Sequence, residues 1–215
     1  MRAVIFANGD LNFPADSLAV VQPTDFVIAA NGGTHHCCKL GIIPDLIIGD
    51  LDSLEDKDLA DLESAGIEIV RYPSRKNFTD LELAMQAAKE RGVDDILVLA
   101  GLGARWDQSL ANVLLAATES MTTVRIRLVD GPQEIQPLRG GAGLQIEGHP
   151  GDTVSLIPVG GEAKGITTQG LEYPLNKETL FLGGTRGISN VMLAETAMIY
   201  LVEGILLIVL IHNRG

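Results

Sequence analysis

Aromatic residues are scarce in this chain, at 4% of its residues, and its only two cysteines are neighbours, Cys37 and Cys38. Adjacent cysteines cannot close an ordinary disulfide without strain. A small scaffold stapled by bridges is therefore excluded, and a reducing, cytoplasmic setting is expected. Positive charge is also short: 16 lysines and arginines stand against 28 acids, a formal net charge of −12. No basic run supports a nucleic-acid surface. No glycine loop ending in Gly-Lys-Ser/Thr occurs, and "GLGARW" lacks the third glycine of a dinucleotide fingerprint. The start "MRAVIFANGD" has no small-residue cleavage site, so no secretory leader is expected. The tail "TAMIYLVEGILLIVLIHN" is split by Glu203-Gly204. The remaining run, Ile205 to Ile211, is far shorter than the ~18 residues of a membrane span. Two buried strands joined by a turn are expected there, and no membrane partner.

Between these absences lies a regular alternation. "AVIFAN" (3–8), "DFVIAA" (25–30), "DLIIG" (45–49), "IEIVRY" (67–72), "DILVLAG" (95–101) and "VRIRLVD" (124–130) have the length and apolarity of buried strands. Helices are expected over 34–40, 55–65, 79–92 and 108–119. The third has apolar residues at 81, 84, 85 and 88, opens on a Thr79/Glu82 capping box and closes at Gly92. The quartet His35-His36-Cys37-Cys38 falls on the first helix. Consecutive helical side chains point about 100° apart, so four in a row cannot converge on one ion. After Gly131-Pro132 the pattern changes to short alternating runs separated by glycines. The expected fold is an N-terminal, mostly parallel α/β domain over 1–132, followed by an all-β sandwich over 133–215.

Chemistry concentrates at the predicted strand ends. In "PDLIIGDLDSLED", Asp50 and Asp52 follow a strand at alternate positions. Two such carboxylates repel and raise each other's pKa unless a cation or strong donor stands between them. Asp80 opens a helix, Asp107 follows another strand, and Asn31-Gly32-Gly33 sits at the end of a further one. Open α/β sheets bind ligands beyond the carboxyl ends of their strands. Hard oxygen donors at such an edge suit Mg²⁺, which shares substrate phosphates and keeps waters. Taken singly, Asp80 suits a helix dipole, Asp107 an N-cap and Asp52-Ser53 a turn. Their common placement, with Arg71, Arg75, Lys76 and Arg105 beside them, points to polyphosphate transfer.

The motifs "NGG", "GDLDSL", "KNFTDLELA" and "GLGARWDQSLAN", in this order, resemble those of the thiamine pyrophosphokinase family. "GDTVSLIPVGG", "GITTQGLEYPL" and "ETLFLGGTRGISN" resemble its thiamine-binding domain, so the likeness runs over nearly the whole chain. The resemblance implies a homodimer with active sites between subunits. It also implies transfer of the pyrophosphoryl group of ATP to the thiamine hydroxyl, giving thiamine diphosphate and AMP. By motif, Asp50, Asp52 and Asp80 are implied as Mg²⁺ ligands, with Arg105 and Asp107 at the ATP phosphates and metal-bound water. Asn31, Lys76, Thr79 and Gln108 are implied to face the nucleotide. Tyr173 is implied to pack on thiamine, and Ser189 and Asn190 to hydrogen-bond its aminopyrimidine region. The chain departs from the family pattern at Asn31 and Asn77, where Asp is usual, and at Gln108, where many bacterial members carry His. Asn keeps the shape of Asp and loses its charge, which weakens a cation contact at position 31. Two other readings compete. One is a non-catalytic thiamine or thiamine diphosphate binder. The other is a haloacid-dehalogenase-like phosphatase, whose D-x-D motif follows the first strand and not the third.

Overall fold

A computed structural model describes residues 1–12, 20–52, 62 and 64–213. The chain divides into two compact units, Met1–Leu115 with Ser120–Gly131, and Ala116–Glu119 with Pro132–Gly215.

In the first unit the apolar runs form β1 (Arg2–Phe6), β2 (Phe26–Ala30), β3 (Leu46–Gly49), β4 (Glu68–Arg71), β5 (Asp95–Leu99) and β6 (Arg125–Asp130). All pair in parallel, in the order β6-β5-β1-β2-β3-β4. Strands covered on both faces need continuous apolar sequence, and β1 and β3 accordingly have almost no exposed side chain. Phe6, Val27, Ile47, Leu97 and Leu99 share one buried cluster with Cys37. Burying each large aliphatic or aromatic side chain there contributes roughly 1.5–3 kcal/mol. Burial also pushes the Cys37 thiol up to about 12, so it packs as a small apolar residue.

Three helices are described in this unit: α1 (Gly33–Leu40), α2 (Asp80–Glu90) and α3 (Trp106–Ala116). Thr79 caps α2, its hydroxyl accepting from the Glu82 N–H at 3.2 Å. Asp80 and Glu82 lie in its first turn, where the helix dipole favours acids. The expected helix over 55–65 lies largely outside the described residues. The fourth expected helix, 108–119, is shifted: it begins at Trp106 and ends at Ala116, with a short 3₁₀ turn at Glu119–Met121. Asp107 is thus in the first turn and not at the cap. Beyond that end the Thr118 carbonyl accepts from the Arg139 guanidinium at 2.6 Å.

The second unit is all β: β7 (Gln133–Arg139), β8 (Ala142–Glu147), β9 (Thr153–Pro158), β10 (Ala163–Gln169), β11 (Glu178–Leu180), β12 (Asn190–Val191), β13 (Thr196–Leu201) and β14 (Ile205–Ile211). Within it, antiparallel pairing gives β12-β9-β14-β7 and β11-β10-β13-β8. Alternate residues of the two sheets meet in one core, with Val154, Leu156, Leu206, Ile208 and Leu210 from the first and Ile146, Ile166, Ile199 and Leu201 from the second. This is a β-sandwich. The apolar tail is the strand pair β13 and β14, turned at Gly204, whose φ is +97°. No helix among the described residues is long and apolar enough to cross a membrane.

Candidate active site

β1 lies inside the parallel sheet, flanked by β2 on one side and β5 on the other. The chain order reverses there, the switch point beyond whose carboxyl ends open α/β sheets place a ligand crevice. A cavity of about 420 Å³ occupies it, lined by Asn8, Gly9 and Asp10 after β1, by Gly101 to Arg105 after β5, and by Thr79, Asp80, Gln108, Ser109 and Asn112. The two loops touch backbone to backbone: the Gly9 N–H donates to the Ala100 carbonyl at 2.8 Å, and the Asp10 N–H to Leu102 at 2.9 Å. A Cβ on Gly9 would stand 2.1 Å from the Leu102 oxygen. Only glycine fits that approach.

The same sheet edge stores backbone strain. Asn31, Leu51 and Ala100, which follow β2, β3 and β5, have φ of +48°, +57° and +54°. Left-handed non-glycine residues cost of order 1–3 kcal/mol each and cluster at functional sites. Leu51 also revises the expected geometry of the carboxylate pair. β3 stops at Gly49, so Asp50 and Asp52 are not set side by side by strand alternation. They flank a buried, left-handed Leu51, and the turn folds Asp52 back onto Asp50.

Of the two outcomes open to such a pair, Asp50 meets the second, with donors and a cation beside it. Burial acts most strongly and upward, but the Asp52 N–H, the Ser74 hydroxyl and the Lys76 charge together outweigh it. Asp50 is held below the ordinary carboxylate range. The Asn31 amide adds a hydrogen bond to it at 3.0 Å. Lys76 in turn pairs with Asp80 and lies 5.9 Å from the centre of the Tyr72 ring. Asn31 and Asp52 thus contact Asp50, and the Lys76–Asp80 pair acts on it through the Lys76 charge, although these residues come from separate elements. Arg105 and Asp107 form a separate, exposed pair. Each shifts the other: Asp107 is held low, first by the hydrogen bond from Arg105, and Arg105 is raised by the same bond. Arg105 and Gln108 line the cavity.

The donor chemistry suits Mg²⁺, although Asp50, Asp52 and Asp80 do not bring one oxygen each within 4.8 Å of the others, Asp80 being turned onto Lys76. The donors are all oxygen, as a hard cation requires. Beside Asp50, the amide oxygen of Asn31 is buried without a hydrogen-bond partner among the described residues. A buried oxygen left in this state costs about 1–3 kcal/mol unless a donor or a cation meets it.

Sequence reasoning missed Asn8, Gly9, Asp10, Ser109 and Asn112. The signal for the first three was present, since they follow a strand as Asp50 does. What sequence lacked was the neighbour relation of β1 and β5.

In the second unit, a cavity of about 410 Å³ is lined by Leu156, Glu172, Tyr173, Leu175, Arg186, Ile188 and Asn190. Tyr173 is 63% exposed. Its backbone is gripped by Asn190, whose amide oxygen accepts from the Tyr173 N–H at 3.0 Å while its NH₂ donates to the Tyr173 carbonyl at 2.7 Å. Ser189 is left-handed, with φ of +60°, and its N–H donates to the Ser155 hydroxyl at 3.0 Å. Ser189 is not among the residues that line the cavity.

Residues 18–128 match the family profile of the thiamin pyrophosphokinase catalytic domain, and residues 143–206 that of the thiamin pyrophosphokinase vitamin B1 binding domain. Thiamine pyrophosphokinase of Bacillus subtilis is 31% identical over 206 residues, covering 95% of this chain and 96% of that protein. Thiamine pyrophosphokinase 1 of rice is 28% identical over 163 residues, 73% of this chain and 62% of its own length. The crystal structure of the B. subtilis protein superposes with a TM-score of 0.87 at 29% identity, covering 99% of this chain and all of that one. Yeast thiamin pyrophosphokinase, at 18% identity and a TM-score of 0.77, shares the fold over 98% of this chain and 86% of its own. With acids gathered at a sheet edge, an aromatic pocket in a β-sandwich and likeness over the full length, the chain belongs to the thiamine pyrophosphokinase family and is an enzyme of that class.

Proposed function

We propose that the chain transfers the pyrophosphoryl group of ATP to the hydroxyl of thiamine, with ATP in the crevice between β1 and β5. In this reaction the thiamine hydroxyl gives up its proton to solvent, its oxygen bonds to the β-phosphorus, the bond from that phosphorus to the α-phosphate bridge breaks, and AMP leaves. Asp50, Asp52 and Asp80 would hold Mg²⁺, aided by the Asn31 amide oxygen. When bound, the ion supplies neutralisation of the charge that grows on the α- and β-phosphate oxygens.

The remaining work falls to the chain's own groups. Lys76 and Arg105 meet the triphosphate as fixed cations, each now held by a carboxylate partner. Thr79 fixes the start of α2 and thereby Asp80. The backbone amides after β1 and β5 keep the crevice open and rigid, which serves positioning. In the second unit the exposed Tyr173 ring offers a π face to cationic thiamine, and Glu172 offers a charge. Asn190 serves mainly by holding the Tyr173 backbone. Ser189 acts through the turn it makes, because it stands off the cavity lining.

The enzyme is read as a cytoplasmic homodimer. The exposed apolar residues Phe181, Leu182 and Leu193 of the second unit support a partner surface. Sedimentation at several concentrations tests it, and a monomer throughout would refute it.

The observation that carries the reading is the charge arrangement beside the 420 Å³ cavity: Asn31 hydrogen-bonds Asp50, the Lys76 charge acts on Asp50 and pairs with Asp80, and Asp80 lines the cavity. The decisive experiment measures AMP formed from ATP, Mg²⁺ and thiamine. Thiamine-dependent AMP release is expected. Thiamine binding without AMP would instead favour the non-catalytic binder.

A further inference from the structure

His149, Asp152 and His212 take no part in the reaction above, yet the turn before β9 and the exit of β14 bring them together. One donor atom from each lies within 4.8 Å of the others. Asp152 Oδ2 is 3.0 Å from His212 Nδ1 and 3.8 Å from His149 Nδ1. In a tetrahedral shell with metal–donor bonds of ~2.0–2.2 Å, neighbouring donors stand ~3.3–3.5 Å apart. The two observed separations bracket that value.

The site has a fixed anchor and an open side. Asp152 is 1% exposed. Its Oδ2 accepts the His149 N–H at 2.9 Å and its Oδ1 the Asn213 N–H at 3.0 Å, which orients the carboxylate before any ion arrives. The imidazoles are 56% and 39% exposed, leaving room for water to complete the shell. Two ring nitrogens and one carboxylate suit zinc-class ions, whereas Mg²⁺ prefers oxygen.

We propose that His149, Asp152 and His212 form a second cation site that takes a divalent transition metal of the zinc class in preference to Mg²⁺. Its role is structural. Met192 N–H donates to the Asp152 carbonyl at 2.8 Å, and Val191 pairs with Thr153. An ion here fastens the end of β14 to the β9–β12 edge that carries Asn190, and through it Tyr173.

The test titrates Zn²⁺ into the full chain by calorimetry, with excess Mg²⁺ to fill the oxygen site, and follows the melting temperature in parallel. One Zn²⁺ per chain and a raised Tm are expected. His149→Ala should weaken Zn²⁺ by at least about tenfold and abolish the Tm rise, with the metal-free Tm kept. That variant should fold, because the backbone N–H of His149, and not its ring, supports Asp152. His212→Gln should show the same loss. Zinc affinity unchanged in both variants overturns the proposal, as does the absence of saturable Zn²⁺ binding. Binding that survives both variants but vanishes in Cys38→Ser assigns the ion to the thiol and overturns it equally.

Discussion

The two cavities of this protein have nearly the same volume, about 420 and 410 Å³, but opposite construction. The first is built from backbone. Its walls include the loops after β1 and β5, tied amide to carbonyl, with glycine where the strands' exits touch. The second is built from a side chain holding a loop: the Asn190 amide grips the Tyr173 backbone and leaves the ring in solvent. The contrast follows from the ligands each would serve. A triphosphate with its metal carries several charges that shift during reaction, and fixed dipoles and charges stabilise those best. A cationic aromatic ring asks for a face to stack on, which one anchored aromatic provides.

Four experiments would break or sharpen this contrast. The largest effect is expected at the acids of the same sheet edge as the first cavity. Asp50→Asn should lower kcat for AMP formation by about 10²–10³-fold while thiamine binding survives, because the loss falls on charge developed in the transition state. Turnover close to normal would remove Asp50 from the chemistry. Next comes the backbone itself. Gly9→Ala forces a Cβ onto the Leu102 carbonyl and should cost about 1–3 kcal/mol of stability, seen as a lower Tm, together with weaker ATP binding. If Gly9→Ala is silent, the first cavity does not depend on that close approach.

In the second cavity a smaller and different change is expected. Tyr173→Ala should raise the thiamine KM about tenfold and leave kcat within about threefold, the pattern of lost uniform binding. A fall in kcat with KM unchanged would place Tyr173 outside the pocket. The smallest effect is a control on the fold alone. At the amino end of the first unit's sheet, buried Asp25 accepts from the Arg2 guanidinium and the Gln22 N–H. Burial pushes its pKa upward, but these donors prevail and hold it below the ordinary value. Its stabilisation is therefore complete above the unfolded value of about 3.9 and is lost as pH falls through the lower, folded value. Asp25→Asn should lower Tm by about a few degrees at neutral pH, flatten the acid limb of the stability curve and leave kcat unchanged. An unaltered acid limb would refute the assignment.

The parallel strands were legible because burial on both faces forces continuous apolar runs, and "AVIF" and "LIIG" can do little else. The start of α2 was legible because Thr79 and Glu82 are local cap chemistry. The tail resolved into two strands on length and one Glu-Gly pair. The end of α3 at Ala116 was not legible, since no glycine or proline marks it in "LLAATES". Nor was the lowered pKa of Asp50, which depends on Ser74 and Lys76, distant in the chain.

The sequence by itself determined which segments would be strands and helices, the change of character after Gly131-Pro132, and the residue types available for chemistry. These are local properties, set by periodicity, caps and side-chain pKa values. Long-range packing set β1 between β2 and β5, so that "ANGD" and "AGLGAR" lie together and line one cavity. It alone set Asn190 on Tyr173 and drew His212 to Asp152. Strand order and long-range contact depend on which buried faces pack together, and that free energy belongs to the whole chain and to no single stretch of it.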